Sequence, residues 1–165
     1  MKKLNYQFVS GSIGIILMIE SVFMLISAFI GEIYGELSSK SLYLSALITF
    51  IAGGFLLLTA RSKKDQNKRI SQREVYLTVT LTWVMMALFG TLPYLIDDAI
   101  PGFADALFES VCGFTTTGSS TLLNIEAFPK SLLFWRSFTQ WIGGIGIIIF
   151  VISLLHVFDG GASHL

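Results

Sequence analysis

The sequence predicts an all-α integral membrane protein with four transmembrane helices and, between the third and fourth, a short re-entrant helix followed by a hydroxyl-rich loop. Three observations lead there. Only 13% of the residues are charged while 53% are hydrophobic, where a soluble domain carries about a quarter charged residues. Four apolar runs reach the roughly 20 residues that a bilayer crossing requires. The Lys and Arg residues are concentrated in alternate connections, as the positive-inside rule demands.

The spans read in order as 8–30, 42–60, 75–96 and 131–155. The start Met1-Lys2-Lys3 imitates a secretory signal, but the apolar run after it is too long for a signal core and no small-residue cleavage pattern follows. It is read as a retained span. Lys2 and Lys3 precede span one, and Arg61, Lys63, Lys64, Lys68, Arg69 and Arg73 fill the 61–74 connection. By contrast, 31–41 sets one Lys against Glu32 and Glu36, and 97–130 sets one Lys against five acids. Both termini and the 61–74 loop are therefore expected on the cytoplasmic side, with 97–130 outside. The basic loop also suits anionic lipid headgroups.

Inside 97–130 the run 103–114 is apolar but too short to cross, and fits a re-entrant half-helix dipping in from outside. Pro93 and Pro101 punctuate the outer end of span three and the entry to this helix, Asp105 suits its positive end, and Gly113 is expected to end it. Its negative C-terminal end then points toward the membrane centre, which favours a cation. Thr115, Thr116, Thr117, Gly118 and Ser119 follow. Irregular backbone at membrane depth is tolerated where it lines a water-filled path, glycine at 118 can turn carbonyls toward one axis, and rings of such oxygens replace a hydration shell in potassium filters. The expectation is a pore helix and filter loop. The other reading is an outer loop with an amphipathic helix lying on the surface.

Further residues are open to two uses. Trp135 is expected as an interfacial aromatic anchor, and Arg136 beside it either snorkels or borders a pore mouth. Glu20 lies deep in span one, a functional candidate by its depth, or else a protonated or helix-bonded carboxyl. Gly143, Gly144 and Gly146 permit close backbone approach or a helix bend. They do not follow a strand and lack dinucleotide-fingerprint spacing. Gly53 and Gly54 are read as packing residues, and the lone Cys112 as a buried thiol. His156, Asp159 and His164 lack metal-site spacing. No nucleophile–base pair, phosphate loop or nucleic-acid surface is apparent, so neither an enzyme nor a nucleic-acid partner is expected.

Phe114-Thr115-Thr116-Thr117-Gly118, Phe134-Trp135-Arg136-Ser137 and Gln140-Trp141-Ile142-Gly143-Gly144-Ile145-Gly146, in this order and spacing, resemble the Trk/Ktr/HKT superfamily of potassium transporters, and within it the Trk-type potassium-uptake subunits. The resemblance covers essentially the whole chain. It implies an N-terminal helix pair at 1–60, the basic loop at 61–74, and at 75–165 the first of four helix–pore loop–helix repeats around a pseudo-fourfold pore. Thr116, Thr117, Gly118 and Ser119 would present the filter oxygens, with Thr115 at the inner end and K+ held at Thr116, Thr117 and Gly118 as transported ion. Arg136, Gly143 and Gly144 would border or line the pore. The resemblance further implies a bacterial cytoplasmic membrane location, a nucleotide-binding regulatory subunit of the RCK type on the cytoplasmic side, a homodimer, and no covalent cofactor. A single repeat cannot close a fourfold filter, so a longer protein supplying three more repeats is expected. The family tends to carry proline where His156 stands here. The alternative to conduction is a four-span structural or assembly protein.

Overall fold

The computed structural model describes residues 5–61, 72–122 and 124–162, with the backbone alone at 150 and 153–162. The basic residues at 63–69 and His164 lie outside the described residues, as do the side chains of His156 and Asp159. The described residues form six helices in chain order: α1 (Tyr6–Ile33), α2 (Ser39–Arg61), α3 (Gln72–Gly90), α4 (Leu92–Ile96), α5 (Phe103–Phe114) and α6 (Lys130–Ala162). Among the described residues, four helical stretches are long and apolar enough to cross a membrane: α1, α2, α3 with α4, and the 130–149 part of α6. They agree with the spans expected from hydropathy to within a few residues.

Small residues set the packing of the first two spans. A Cβ on Gly14 would come within 2.7 Å of the Gly53 carbonyl oxygen, and one on Gly53 within 2.9 Å of the Gly14 carbonyl oxygen. Side chains at either position would push α1 and α2 apart. Gly54 meets nothing within 4 Å, so only Gly53 serves the packing expected of the pair. The outward side of α2 leaves Leu47, Ile51, Phe55 and Leu58 exposed, as an alkane-facing surface should be.

The third span is not continuous. It breaks at Gly90–Thr91, three residues before Pro93 rather than at it, and Pro93 occupies the first turn of the short α4, where its missing N–H costs nothing. The carbonyls freed by the break are taken up by other elements. Ala87 O accepts from Thr91 Oγ1 at 2.7 Å and from Ser110 Oγ at 2.8 Å, and Gly90 O accepts from Trp135 Nε1 at 3.1 Å. Buried backbone groups need such partners, above all at membrane depth. Trp135 is thus fully buried as a hydrogen-bonding core residue and is not the interfacial anchor expected of it. Its ring meets Phe114 edge-on, with centroids 6.4 Å apart, and Tyr94, Leu132, Met24 and Leu42 complete a core where α1, α2, α4, α5 and α6 converge.

Two carboxylates fasten the α1–α2 connection to α4 and to α6. Asp97 accepts from Ser38 Oγ at 3.1 Å and Ser41 Oγ at 3.0 Å, tying the end of α4 to the start of α2. Glu36 accepts from the Lys130 and Ser131 amides at 2.8 and 3.0 Å and from Ser131 Oγ at 2.9 Å, capping α6 from 94 residues away. Partial burial alone would raise the Glu36 carboxyl, but these donors and the nearby Lys130 charge outweigh it and hold it below the usual carboxylate range.

Candidate functional site

The helix α5 covers the predicted 103–114, but Gly113 does not end it. The helix continues through Phe114, with Thr115 as its C-cap. Gly113 serves a different need: a Cβ there would lie 2.2 Å from Thr139 Oγ1, so its absence lets α5 press against α6. Gly143 does the same from the other side, since its Cβ would fall 2.0 Å from the Phe114 carbonyl oxygen. The last turn of α5 is therefore seated directly on the α6 backbone. Gly144 stands beside the hydroxyl-rich segment, where an added Cβ would meet Thr116 Cγ2 at 3.9 Å, an ordinary contact.

Thr116 terminates the helix. Its φ is 55°, its amide bonds to Gly113 O at 2.9 Å, and the Thr117 amide bonds to Cys112 O at 3.0 Å. This is the paired-bond helix ending that usually carries glycine at the left-handed position. A β-branched residue is an outlier there, and strain of this kind concentrates at functional sites. Gly118 is also left-handed, with φ 76°, while Thr115 and Thr117 keep negative φ. The sign of φ thus alternates along 115–118. Alternation of hand lets successive carbonyls share one side of the chain, which an oxygen-lined path requires.

The hydroxyls are ordered as well. Thr115 Oγ1 donates its one proton to Val111 O at 2.8 Å, so in its 2.8 Å contact with Thr117 Oγ1 it is the acceptor. The Thr117 oxygen keeps its lone pairs. Residues 115–119 are all exposed; they form an uncovered strip of hydroxyl and carbonyl oxygens beside α6.

Beyond the strip the chain is clamped. Glu109, on α5 and fully buried, accepts from Ser120 Oγ at 3.0 Å through one oxygen and 3.1 Å through the other, and from the Thr121 amide at 3.1 Å. Arg136 Nε on α6 donates to the same carboxylate. Three donors, two from the 120–121 segment and one from α6, satisfy an acid that would be very costly to bury unpaired. Arg136 neither snorkels nor stands free; its side chain is 16% exposed and paired. The segment 115–119 is consequently held at both ends, by the α5 ending and by Glu109.

The structure brings Thr115, Thr116, Thr117, Gly118, Ser119, Gly143, Gly144 and Arg136 into one neighbourhood. Sequence reasoning missed Glu109, Ser120, Thr121 and Thr139. The available signal for Glu109 was an acid within an apolar half-helix, followed by Arg136, the sole Arg after Arg73. Among the described residues no group of three His, Cys, Asp or Glu side chains is placed to hold a metal ion. Any cation at this site would meet neutral oxygens. Cys112 is buried and free.

Residues 38–165 match the family model described as TrkH, cation transport protein. The chain is 29% identical over 164 residues to the Trk system potassium uptake protein TrkH of Escherichia coli K12, covering 98% of this chain and 33% of that protein. It is 32% identical over 154 residues to TrkH of Vibrio parahaemolyticus, covering 93% of this chain and 31% of that one. The crystal structure of the potassium transporter TrkH from Vibrio parahaemolyticus superposes with a TM-score of 0.79 at 33% identity, over 90% of this chain and 32% of that chain. The chain spans about a third of the length of these relatives. With 128 of its 165 residues inside the family match, this multi-pass membrane chain belongs to the TrkH family of cation transport proteins.

Proposed function

We propose that the chain contributes one filter segment, 115–119, to a potassium-uptake pore in the cytoplasmic membrane. In this reading α5 is a re-entrant pore helix, residues 1–60 form an accessory helix pair, and 75–165 form one of four pore repeats, the others lying in a longer polypeptide. Potassium would be held by carbonyl and hydroxyl oxygens at Thr116, Thr117 and Gly118, with Thr115 and Ser119 flanking. The N-terminus, the 61–74 loop and the C-terminal end of α6 face the cytoplasm, where a nucleotide-binding subunit of the RCK type would dock, and the full-length protein works as a homodimer.

The observation that carries this reading is the doubly anchored segment with alternating φ at Thr115 to Gly118. A rigid, uncharged oxygen strip can replace a hydration shell without trapping the ion, and the C-terminal end of α5 adds partial negative charge at its start. The relatives named as potassium transporters supply the choice of ion.

The test is rubidium and potassium uptake in cells stripped of their own uptake systems and expressing the complete reading frame. Uptake that saturates with potassium is expected. A protein that inserts fully yet leaves uptake at background, with and without an RCK-type subunit, would instead be a four-span assembly protein.

A further inference from the structure

The hydroxyls of the exposed strip do not stand alike toward a cation. A hydroxyl has one proton to give and lone pairs to accept with, and a free one turns either end to its neighbour. Thr115 and Thr117 are not free. Thr115 Oγ1 gives its proton to Val111 O, which cannot donate in return, and its 2.8 Å contact with Thr117 Oγ1 therefore has Thr117 as the donor. The hydrogen bonds run from Thr117 to Thr115 and on to the last turn of α5. Thr115 Oγ1 is engaged as donor and as acceptor, while Thr117 Oγ1, on an exposed residue, is left to accept only. The backbone does not need this relay. The Thr115, Thr116 and Thr117 amides bond to Val111 O, Gly113 O and Cys112 O at 2.8, 2.9 and 3.0 Å, so the helix ending stands without any hydroxyl. What the Thr115 hydroxyl adds is orientation.

Building on the reading of 115–119 as a filter segment, we propose that Thr115 is a positioning residue and not an ion ligand: its hydroxyl draws the Thr117 proton away from the ion, so that Thr117 Oγ1 meets potassium as a fixed acceptor. A group already oriented for its ligand loses less freedom when the ligand arrives, whereas a rotating hydroxyl must first be turned. The two threonines thus have unlike tasks, one touching the ion and one acting through its neighbour.

The test is the KM for rubidium uptake, measured at equal membrane abundance with the complete reading frame in cells stripped of their own uptake systems. Thr115→Val removes the hydroxyl but keeps the shape of the side chain and all three backbone bonds. It should raise KM roughly five- to tenfold, the loss of about one hydrogen bond, with little change in maximal rate or unfolding temperature. Thr115→Ser keeps the relay and should stay near the native KM. Thr117→Val should raise KM at least as much, and adding Thr115→Val to it should change nothing further, because no hydroxyl is then left to orient. A native KM in Thr115→Val overturns the assignment. So does a rise in Thr115→Ser equal to that in Thr115→Val, or a further rise when Thr115→Val is added to Thr117→Val. A native KM in Thr117→Val overturns it as well, and decides the matter even if Thr115→Val folds poorly. Where Gly118→Ser still abolishes uptake or its potassium preference, the filter reading stands and only the role of Thr115 falls. No uptake by the unaltered protein overturns both.

Discussion

Arg136 on α6 donates its Nε hydrogen to Glu109 on α5, and that carboxylate also holds Ser120 Oγ and the Thr121 amide. One buried acid thus fixes the distance between a short helix, the chain leaving the candidate filter and the following span. Removing one partner of a buried pair costs about 3–5 kcal/mol. Arg136→Ala should therefore lower thermal stability in detergent markedly and free Ser120 and Thr121. Glu109→Gln, which keeps an acceptor oxygen, should lose less. The check is unfolding temperature together with hydrogen exchange at the Thr121 amide. Equal loss in both variants would mean that the charge itself, not the hydrogen bonding by three donors, does the holding.

The two adjacent glycines of α6 should behave differently. At Gly143 a methyl would sit 2.0 Å from Phe114 O and 2.7 Å from its carbonyl carbon, so backbone must move. At Gly144 the nearest atom is Thr116 Cγ2 at 3.9 Å. Gly143→Ala should cost about 1–3 kcal/mol or more and displace the start of 115–119, whereas Gly144→Ala should leave folding unchanged. Thermal stability of the paired variants, at matched membrane abundance, reads the difference.

Thr116 occupies a left-handed position that disfavours a β-branched side chain by roughly 1–2 kcal/mol. Thr116→Gly relieves that strain and adds about 0.5–1 kcal/mol of unfolded-chain entropy, so its stability should be equal to or slightly above that of the native chain. Any gain would come with a looser segment. Clear destabilisation would show that the threonine side chain contributes contacts that outweigh the strain.

Glu36 gives a pH dependence. Its carboxyl titrates below the ordinary range when folded, so its contribution is complete above the unfolded value of about 4.3. It disappears as pH falls through the lower folded value. Hydrogen exchange at the Lys130 and Ser131 amides should accelerate as pH drops below about 4, after correction for intrinsic exchange. Glu36→Gln should show faster exchange already at neutral pH, with no acid transition of its own.

Much of this architecture was legible in sequence because lipid imposes simple rules. Length and hydropathy located all four spans, and the apolar run 103–114 located α5 to the residue. Tertiary partners were not legible. Trp135 looks like an interfacial anchor in one dimension, and only the break at Gly90 reveals the carbonyl that takes its indole N–H into the core. Gly113 looks like a helix stop, since glycine commonly is one, but its neighbour across the interface is Thr139. The stop falls on Thr116, a residue type that local propensity would never choose. Glu109 was counted among the outer acids, and its role depends on Arg136, 27 residues on.

The most direct test of the central claim compares two glycines. Gly118 and Gly35 both have positive φ, 76° and 67°, and an added Cβ on either meets nothing within 4 Å. Serine imposes similar backbone strain at the two positions, one in the candidate filter and one in the turn between α1 and α2. Rubidium and potassium uptake should collapse or lose potassium preference in Gly118→Ser and persist in Gly35→Ser, at equal membrane abundance. Uptake that survives Gly118→Ser as well as it survives Gly35→Ser would contradict the assignment of 115–119 to the ion path.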